Sequence, residues 1–197
     1  MRLFVALEPN TKIIANLTEL VRRLAPMAPV RWVHPGNMHV TLKYIGEWDE
    51  SRLDQVFDAL SRVRIASKVK VPLAGLRFVP HERSPRLFWA LAENTLPLRQ
   101  LASIIDARLA RLGIAPEVRP YLPHLTLGRL HGRVDLTEMH EAIEELPSRE
   151  FGTIEPDRFV LYGSMLTPEG PVHRKLEEFP FMMPVSNEVK PALALRY

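Results

Sequence analysis

Two hydrophobic patterns alternate along the chain. Short apolar runs of strand character, such as "LFVAL" at 3–7 and "LFWAL" at 87–91, are each followed by a stretch in which apolar residues return every three to four positions. This second spacing is typical of a helix with one buried face. It predicts helices at 13–24, 53–63, 98–112 and 136–146. Residues suited to cap the first and third helices are Asn10 or Thr11 and Asn94 or Thr95.

The order strand, helix, strand, helix, strand occurs twice. "LFVALEPN" at 3–10 matches "LFWALAEN" 84 residues later, and "HVTL" at 39–42 matches "HLTL" 85 residues later. The second helical pattern of each half leads into strand-like text, "KVKVPLAGLRFV" and "FGTIEPDRFVLYGS". Because the matched strings are short, chance similarity is the alternative to a duplication.

A duplication predicts a single domain of the α+β class over 1–197. Its two halves, roughly 1–85 and 86–180, would be related by a pseudo-two-fold axis, and the tail 181–197 has no counterpart in the repeat. Such an axis would bring the two histidine motifs to one interface. We therefore expect any chemistry of this chain to lie where the halves meet.

Composition narrows the class of protein. Hydrophobic residues make up 46% and charged residues 25%, which is typical of a globular chain, and no run approaches the roughly 18 apolar residues of a membrane span. The first residues carry no cleavage-site pattern, so a cytoplasmic protein is expected. The absence of cysteine excludes disulfides, a thiol nucleophile and thiolate metal ligands. A net charge of +3 suits a small anionic ligand or an RNA end.

The two histidine motifs each place an imidazole beside a hydroxyl. Residues two apart on a strand share a face, so His39 lies beside Thr41 and His124 beside Thr126. A single such histidine is as well explained by a packed or surface residue with one hydrogen bond. Two copies at matching places of a duplicated chain favour a site in which two imidazoles and two hydroxyls converge.

Two histidines suit acid and base catalysis at a phosphodiester. Their usual pKa near 6.5 allows one to take a proton from water while the other gives one to a leaving alkoxide. Threonine hydroxyls are neutral donors for the non-bridging oxygens of a phosphate. This chemistry needs no metal and no other cofactor, and none is expected.

With both motifs in hand, the sequence resembles the two-histidine phosphoesterases, and more narrowly the RNA 2',3'-cyclic phosphodiesterases, also called LigT-like or 2'-5' RNA ligase proteins. The resemblance covers most of the chain to about residue 180. It is carried by "RLFVAL", "RWVHPGNMHVTLKYIGE", "AGLRFVPHERSPRLFWAL", "VRPYLPHLTLGRL" and "LYGSMLTPEGPVHRKLEEF". It implies two lobes with antiparallel sheets lining a central cleft and helices packed outside.

The resemblance also implies hydrolysis of a 2',3'-cyclic phosphate at an RNA 3' end or on a nucleotide, leaving a 2'-phosphomonoester. His39 would protonate the leaving 3'-oxygen and His124 would activate water, with exchange of these two roles left open by the pseudo-symmetry. Thr41 and Thr126 would bind phosphate oxygens.

Tyr44 and Arg129, each five residues after its histidine, are associated in the family with holding the terminal nucleotide. Simple strand alternation, however, places them on the face opposite their histidines, unless the strand bends or ends there. Their alternative roles are a core tyrosine and a solvated or ion-paired arginine.

Other candidates are weaker, and other functions stay open. His34, His81, His131, His140 and His173 lack metal-ligand spacing and are expected on the surface, while Trp32 and Trp89 are expected to pack. Arg22, Arg23 and Arg31 form either a basic rim for RNA or a solvated helix face.

The alternative functions are 2'-5' ligation by the same site and non-catalytic binding of RNA ends or nucleotides. A monomer with no membrane contact is expected.

Overall fold

The computed structural model describes residues 1–167 and 170–181, with the backbone alone at Leu166. Apart from its first residue, the predicted tail 181–197 lies outside the described residues.

Its strands are β1 (Arg2–Leu7), β2 (Arg31–Trp32), β3 (Val40–Glu47), β4 (Val71–Val79), β5 (Leu87–Ala92), β6 (His124–Arg129), β7 (Glu150–Ile154), β8 (Arg158–Thr167) and β9 (Gly170–Pro180). Its α-helices are α1 (Thr11–Leu24), α2 (Leu53–Ser61), α3 (Leu96–Ala110) and α4 (Thr137–Glu144).

The four helices predicted from periodicity are confirmed, each end lying within two residues of its expected place. Asn10 caps α1, where its side-chain oxygen accepts a hydrogen bond of 3.0 Å from the backbone N–H of Ile13. Thr95 is the cap residue of α3, but its hydroxyl donates to the carbonyl of Lys70 instead. The apolar spacing therefore predicts the limits of each helix, while at α3 a tertiary contact takes the hydroxyl that could have capped the helix.

Nine strands of the described chain form one antiparallel sheet. The order is β7-β4-β5-β6-β3-β1-β8-β9, with β2 beside β6. The sheet has two groups of four strands, which meet between β6 and β3. Strand β4 of the first half pairs with β5 of the second, and β8 of the second half pairs with β1 of the first. The duplicated, pseudo-two-fold α+β fold is confirmed, and its halves exchange strands.

The helices cover one face of this sheet. Each helix contributes apolar side chains to one cluster with the inward residues of the strands; in α1 these are Ile13, Leu17, Leu20 and Leu24. Each fully buried aliphatic side chain contributes about 1.5–3 kcal/mol to folding. The other face, here called the open face, carries a separate small cluster of Phe4, Ala6, Val160 and Tyr162. That face is left free for a site.

Candidate active site

The two lobes meet at a single ladder pair within the described residues. Val40 of β3 and Leu125 of β6 are antiparallel partners, and both are fully buried on the helix side of the sheet. The two strands form no further ladder pair among the described residues, and the hydroxyl of Tyr121 donates at 2.8 Å to the carbonyl of Thr41. The point of contact is therefore the centre of the pseudo-symmetry.

All four predicted catalytic and phosphate-binding residues surround this pair. Extending its antiparallel register by one residue places His39 opposite Thr126 and Thr41 opposite His124. Since Val40 and Leu125 point into the core, these four neighbours point to the open face. Directly opposed residues have Cβ atoms about 4.5–5.5 Å apart. The histidines thus occupy one diagonal of a square, and the threonines occupy the other.

The two imidazoles are held in the same manner. Nδ1 of His39 lies 2.7 Å from the carbonyl oxygen of Asn37, and Nδ1 of His124 lies 2.9 Å from that of Leu122. A carbonyl can only accept, so each Nδ1 carries the proton and donates it. This fixes the neutral tautomer and leaves each Nε2 with a free lone pair. Either ring is therefore prepared to accept a proton at Nε2.

Different aromatic rings support the two histidines. His39 stacks on Phe4 with ring centroids 4.7 Å apart, and Phe4 stacks in turn on Tyr162. His124 lies flat on the indole of Trp89 at 3.6 Å. Trp89, expected only to pack, is thus part of the site, because its register places it across from Thr126. These contacts limit rotation of both imidazoles.

A third histidine, His173, also lies at the site. It comes from β9, and its ring meets that of His39 edge-on at 5.4 Å and that of Phe4 at 4.9 Å. Its Nδ1 is buried and has no hydrogen-bond partner among the described residues. Burial lowers the pKa of His173, and the charge of Arg129 lowers it further. The expectation of an ordinary surface role for His173 is wrong, because strand exchange between the halves brings β9 to the open face.

Burial makes both motif histidines weak bases. It lowers the pKa of His39 to about 4; the charges of His173 and His124 act in the same direction, against the hydrogen bond to Asn37 and the carboxylate of Glu8. Burial also lowers the pKa of His124, against the effect of its own backbone hydrogen bond. In the unliganded protein both imidazoles are therefore neutral at pH 7.

A bulge in β3 brings Tyr44 to the open face. On the neighbouring strand β1, Ala6 pairs with Thr41 and the preceding residue, Val5, pairs with Lys43, so Leu42 is an extra residue. The alternation of faces shifts by one there, and Tyr44 pairs with Phe4 on the same side as Thr41. Tyr44 is 57% exposed. Simple alternation, which would place Tyr44 on the face opposite His39, does not hold across this bulge.

An equivalent bulge lies in β6. Thr126 pairs with Trp89, but Gly128 pairs with Phe88, so Leu127 is the extra residue. Arg129 consequently returns to the open face beside Thr126, and it is exposed there. The prediction from simple alternation is wrong at this position too. Both bulges lie at the same distance after the histidine, so the duplication preserved them.

The second residue of each bulge is held from the helix side. In β3 this residue is Lys43, which is buried; its Nζ lies 2.5 Å from Asp106 and donates at 2.7 Å to the carbonyl of Ala115. In β6 it is Gly128, against which Val30 and Trp32 pack so closely that a Cβ would overlap Val30 Cγ1. The bulges are thus stabilised by different contacts.

The sequence match between β1 and β5 differs by one residue from their structural equivalence. Ala6 and Trp89 occupy equivalent positions in the sheet, since each pairs with the motif threonine of the adjacent strand. This is an offset of 83 residues, one less than the string match predicts. Phe4 accordingly lies on the open face, whereas Phe88 is fully buried in the core.

The remaining candidates lie elsewhere. Arg22 and Arg23 are exposed on α1, where Arg22 pairs with Glu19, and Arg31 neighbours Arg129 across the β2–β6 ladder. Over residues 1–167 and 170–181, no group of three or more histidine, aspartate or glutamate side chains is arranged to hold a metal ion. No helix within the same ranges is both long and apolar enough to cross a membrane.

Comparison with known proteins identifies the family. The sequence model of the family described as LigT like Phosphoesterase matches twice, at 7–89 and 91–173. A protein of Thermotoga maritima named RNA 2',3'-cyclic phosphodiesterase is 33% identical, over 92% of this chain and 96% of its own length. One of Archaeoglobus fulgidus with the same name is 31% identical over 91% and 99%. The crystal structure of TT0787 of Thermus thermophilus has a TM-score of 0.78 and 28% identity, covering 92% of this chain and 98% of that chain. The chain belongs to the LigT-like phosphoesterase family.

Proposed function

We propose that the protein hydrolyses the 2',3'-cyclic phosphate at an RNA 3' end, or on a nucleotide, to a 2'-phosphomonoester. Its relatives of about 30% identity bear the name of this activity. The observation that carries the proposal is the diagonal placement of His39 and His124 around the pair of Val40 and Leu125. Two bases on opposite corners are what an in-line displacement requires, because the entering and leaving oxygens lie on opposite sides of phosphorus.

In this mechanism the phosphate lies between the two histidines. His124 Nε2 takes a proton from water as the water oxygen bonds to phosphorus. The bond from phosphorus to the 3'-oxygen breaks, and His39 Nε2 gives its proton to that oxygen. The hydroxyls of Thr41 and Thr126, on the other diagonal, donate to the non-bridging oxygens as their charge rises.

The lowered pKa values are compatible with these roles. His39 must be protonated to act as an acid, yet its pKa in the unliganded protein is about 4. A phosphodiester anion bound against the ring favours the charged imidazolium and raises this pKa. With substrate bound, His39 therefore takes up a proton from the solvent, while His124 stays neutral. The neighbouring charge of one imidazolium opposes protonation of the second.

The terminal nucleotide is proposed to lie against Tyr44 and Arg129. Both side chains reach the open face through the bulges, and both are exposed. A tyrosine ring offers a surface for stacking a base, and a guanidinium offers charge to a phosphate. The support for this assignment is the shared face, which simple strand alternation would not give.

Each half of the chain contributes one histidine and one threonine to this site. The proposed enzyme is therefore one two-lobed domain over 1–197, which needs no second copy for a complete site. We expect it to act as a monomer in the cytoplasm, without metal or other cofactor.

Hydrolysis of adenosine 2',3'-cyclic phosphate in the presence of EDTA tests the proposal. The expected product is adenosine 2'-phosphate, identified by 31P NMR. His39→Ala and His124→Ala should each lower kcat/KM by about 10²–10⁴-fold, the usual contribution of one acid or base. His81→Ala, an exposed histidine of the β4–β5 loop, is the matched control.

Absence of turnover both on this substrate and on an RNA strand that ends in the cyclic phosphate, or unchanged turnover by both site variants, would disprove the proposed function. Incubation with two RNA halves, one ending in the cyclic phosphate and the other beginning with a 5'-hydroxyl, separates hydrolysis from 2'-5' ligation.

A further inference from the structure

A basic pocket adjoins Arg129 at the end of β6. It has a volume of about 690 Å³ and lies between the residues before β5 and those after β6. Its cationic side chains are Arg86, Arg129 and Arg133, and His131 lies beside them. No acidic side chain is among the described residues that line it. We call this feature the basic pocket.

No acidic side chain among the described residues neutralises the arginines of the basic pocket. All three are exposed, and none takes part in an ion pair within 1–167 and 170–181. Other arginines of this chain do find acidic partners, as Arg22 does with Glu19 and Arg62 with Asp58. Three cations around one cavity repel one another, so binding an anion there lowers their electrostatic energy.

The backbone holds these side chains around the cavity. Leu87 and Arg129 are ladder partners, and the next residues remain joined, since Leu130 N–H donates to the carbonyl of Arg86 at 2.9 Å. Beyond them Gly132 has a φ of 72°, a conformation that favours glycine and turns the chain. Arg133 follows directly and lines the same cavity. The arrangement depends on this turn and on the end of the sheet.

The basic pocket is continuous with the proposed catalytic site through Arg129. Arg129 lies three residues beyond Thr126 on β6, which is at most about 10 Å along an extended strand. A nucleotide whose cyclic phosphate lies at Thr126 would therefore have its neighbouring groups near the pocket. The neighbouring anion in an RNA strand is the phosphate that joins the last nucleotide to the one before it.

We propose that the basic pocket binds this internucleotide phosphate, so that the preferred substrate is an RNA strand and not a free nucleoside cyclic phosphate. The inference rests on the proposed function and specifies its substrate class. Arg86 and Arg133 would form charge-assisted hydrogen bonds with the phosphate oxygens and would have no part in the bond-breaking step.

The test compares adenosine 2',3'-cyclic phosphate with the dinucleotide ApA ending in the same cyclic phosphate. We expect a kcat/KM about tenfold or more higher for the dinucleotide, the value of one charge-assisted contact. Arg133→Gln and Arg86→Gln should each remove most of this preference and leave kcat/KM for the nucleoside substrate unchanged. Raising the salt concentration should weaken the preference in the wild-type protein and less so in the variants.

Arg23→Gln, an exposed and unpaired arginine of α1 among the described residues, is the matched control. Equal kcat/KM for both substrates in the wild-type protein would overturn the inference. So would a loss of preference in Arg23→Gln as large as in Arg133→Gln, because the arginines of α1 would then bind the strand.

A binding measurement keeps this test separate from that of the proposed function. Calorimetric affinities for adenosine 2'-phosphate and for ApA with a terminal 2'-phosphate need no turnover. A ratio that favours ApA and falls in Arg133→Gln supports the basic pocket even if no hydrolysis is seen. An unchanged ratio refutes it even if both substrates are hydrolysed.

Discussion

Replacing Gly128 by alanine should distort the second bulge. Gly128 is not in the left-handed region, so its backbone tolerates a side chain and only crowding opposes the change. An added Cβ would overlap Val30 Cγ1 and would lie 3.3 Å from Trp32 Cε3. Val30 is only 9% exposed and has little room to move away. The Cβ must therefore displace β2 or β6.

The cost follows from this overlap. Overfilling a packed core typically costs about 1–3 kcal/mol. For a chain of this size that corresponds to a fall in Tm of about 2–12 °C. Activity should fall as well, since Arg129 is the next residue and His124 lies on the same strand. A displacement of about 1 Å at a catalytic site can cost about 10²-fold in rate.

Thermal unfolding and kcat/KM for the cyclic phosphate measure the two effects. Gly163→Ala is the matched control, because its Cβ would come no closer than 3.4 Å to the ends of the Leu176 and Met1 side chains, and it should change Tm and activity less. Adding Val30→Ala to Gly128→Ala removes the overlapping methyl groups and should restore part of the activity. Equal behaviour of Gly128→Ala and Gly163→Ala would refute the reasoning.

Three further predictions concern buried ionisable groups. Because burial lowers the pKa of both His39 and His124, kcat/KM should be highest below pH 6.5. The optimum of kcat should lie at higher pH, because bound phosphate raises both pKa values. A kcat/KM optimum above pH 7.5 would contradict this. His39 is uncharged in the folded protein down to about pH 4 but binds a proton below about pH 6.5 when unfolded. Its contribution to the free energy of unfolding should therefore be complete above pH 6.5 and should be lost as the pH falls toward 4. In urea unfolding at pH 7 and pH 4, His39→Gln should lose about 3 kcal/mol less than the wild type, and identical losses would contradict the shift. Lys43→Met should lower the free energy of unfolding by about 1–3 kcal/mol, because it leaves Asp106 without its cationic partner. The double variant Lys43→Met with Asp106→Leu should recover most of this loss. A double variant as unstable as the single one would count against a stabilising role of the pair.

The repeat made much of the fold and the centre of the site predictable. Helical periodicity located all four helices, and the two His-x-Thr motifs located the residues around the pair of Val40 and Leu125. Both signals are local: one depends on side-chain spacing in a helix, and the other on the two-residue alternation of a strand.

The missed features depend on contacts between distant segments. Tyr44 and Arg129 reach the open face only because of one-residue bulges, which are visible in the register against β1 and β5 and not in the strands themselves. His173 lies beside His39 because β8 and β9 cross to the other half. The role of Trp89 could not be predicted from the sequence match of "LFVAL" with "LFWAL". That match differs by one residue from the structural equivalence of β1 and β5.

The division of labour between the histidines can be measured with a substrate whose leaving group needs no acid. In 3'-deoxyadenosine 2'-(4-nitrophenyl phosphate), nitrophenolate takes the place of the 3'-oxygen. We predict that His39→Ala loses hydrolysis of the cyclic phosphate but keeps most of its rate on the nitrophenyl ester, whereas His124→Ala loses both. Wild-type rates of cyclic phosphate hydrolysis in both variants would contradict acid and base catalysis by this pair, and retention of nitrophenyl ester hydrolysis by His124→Ala alone would reverse the two roles.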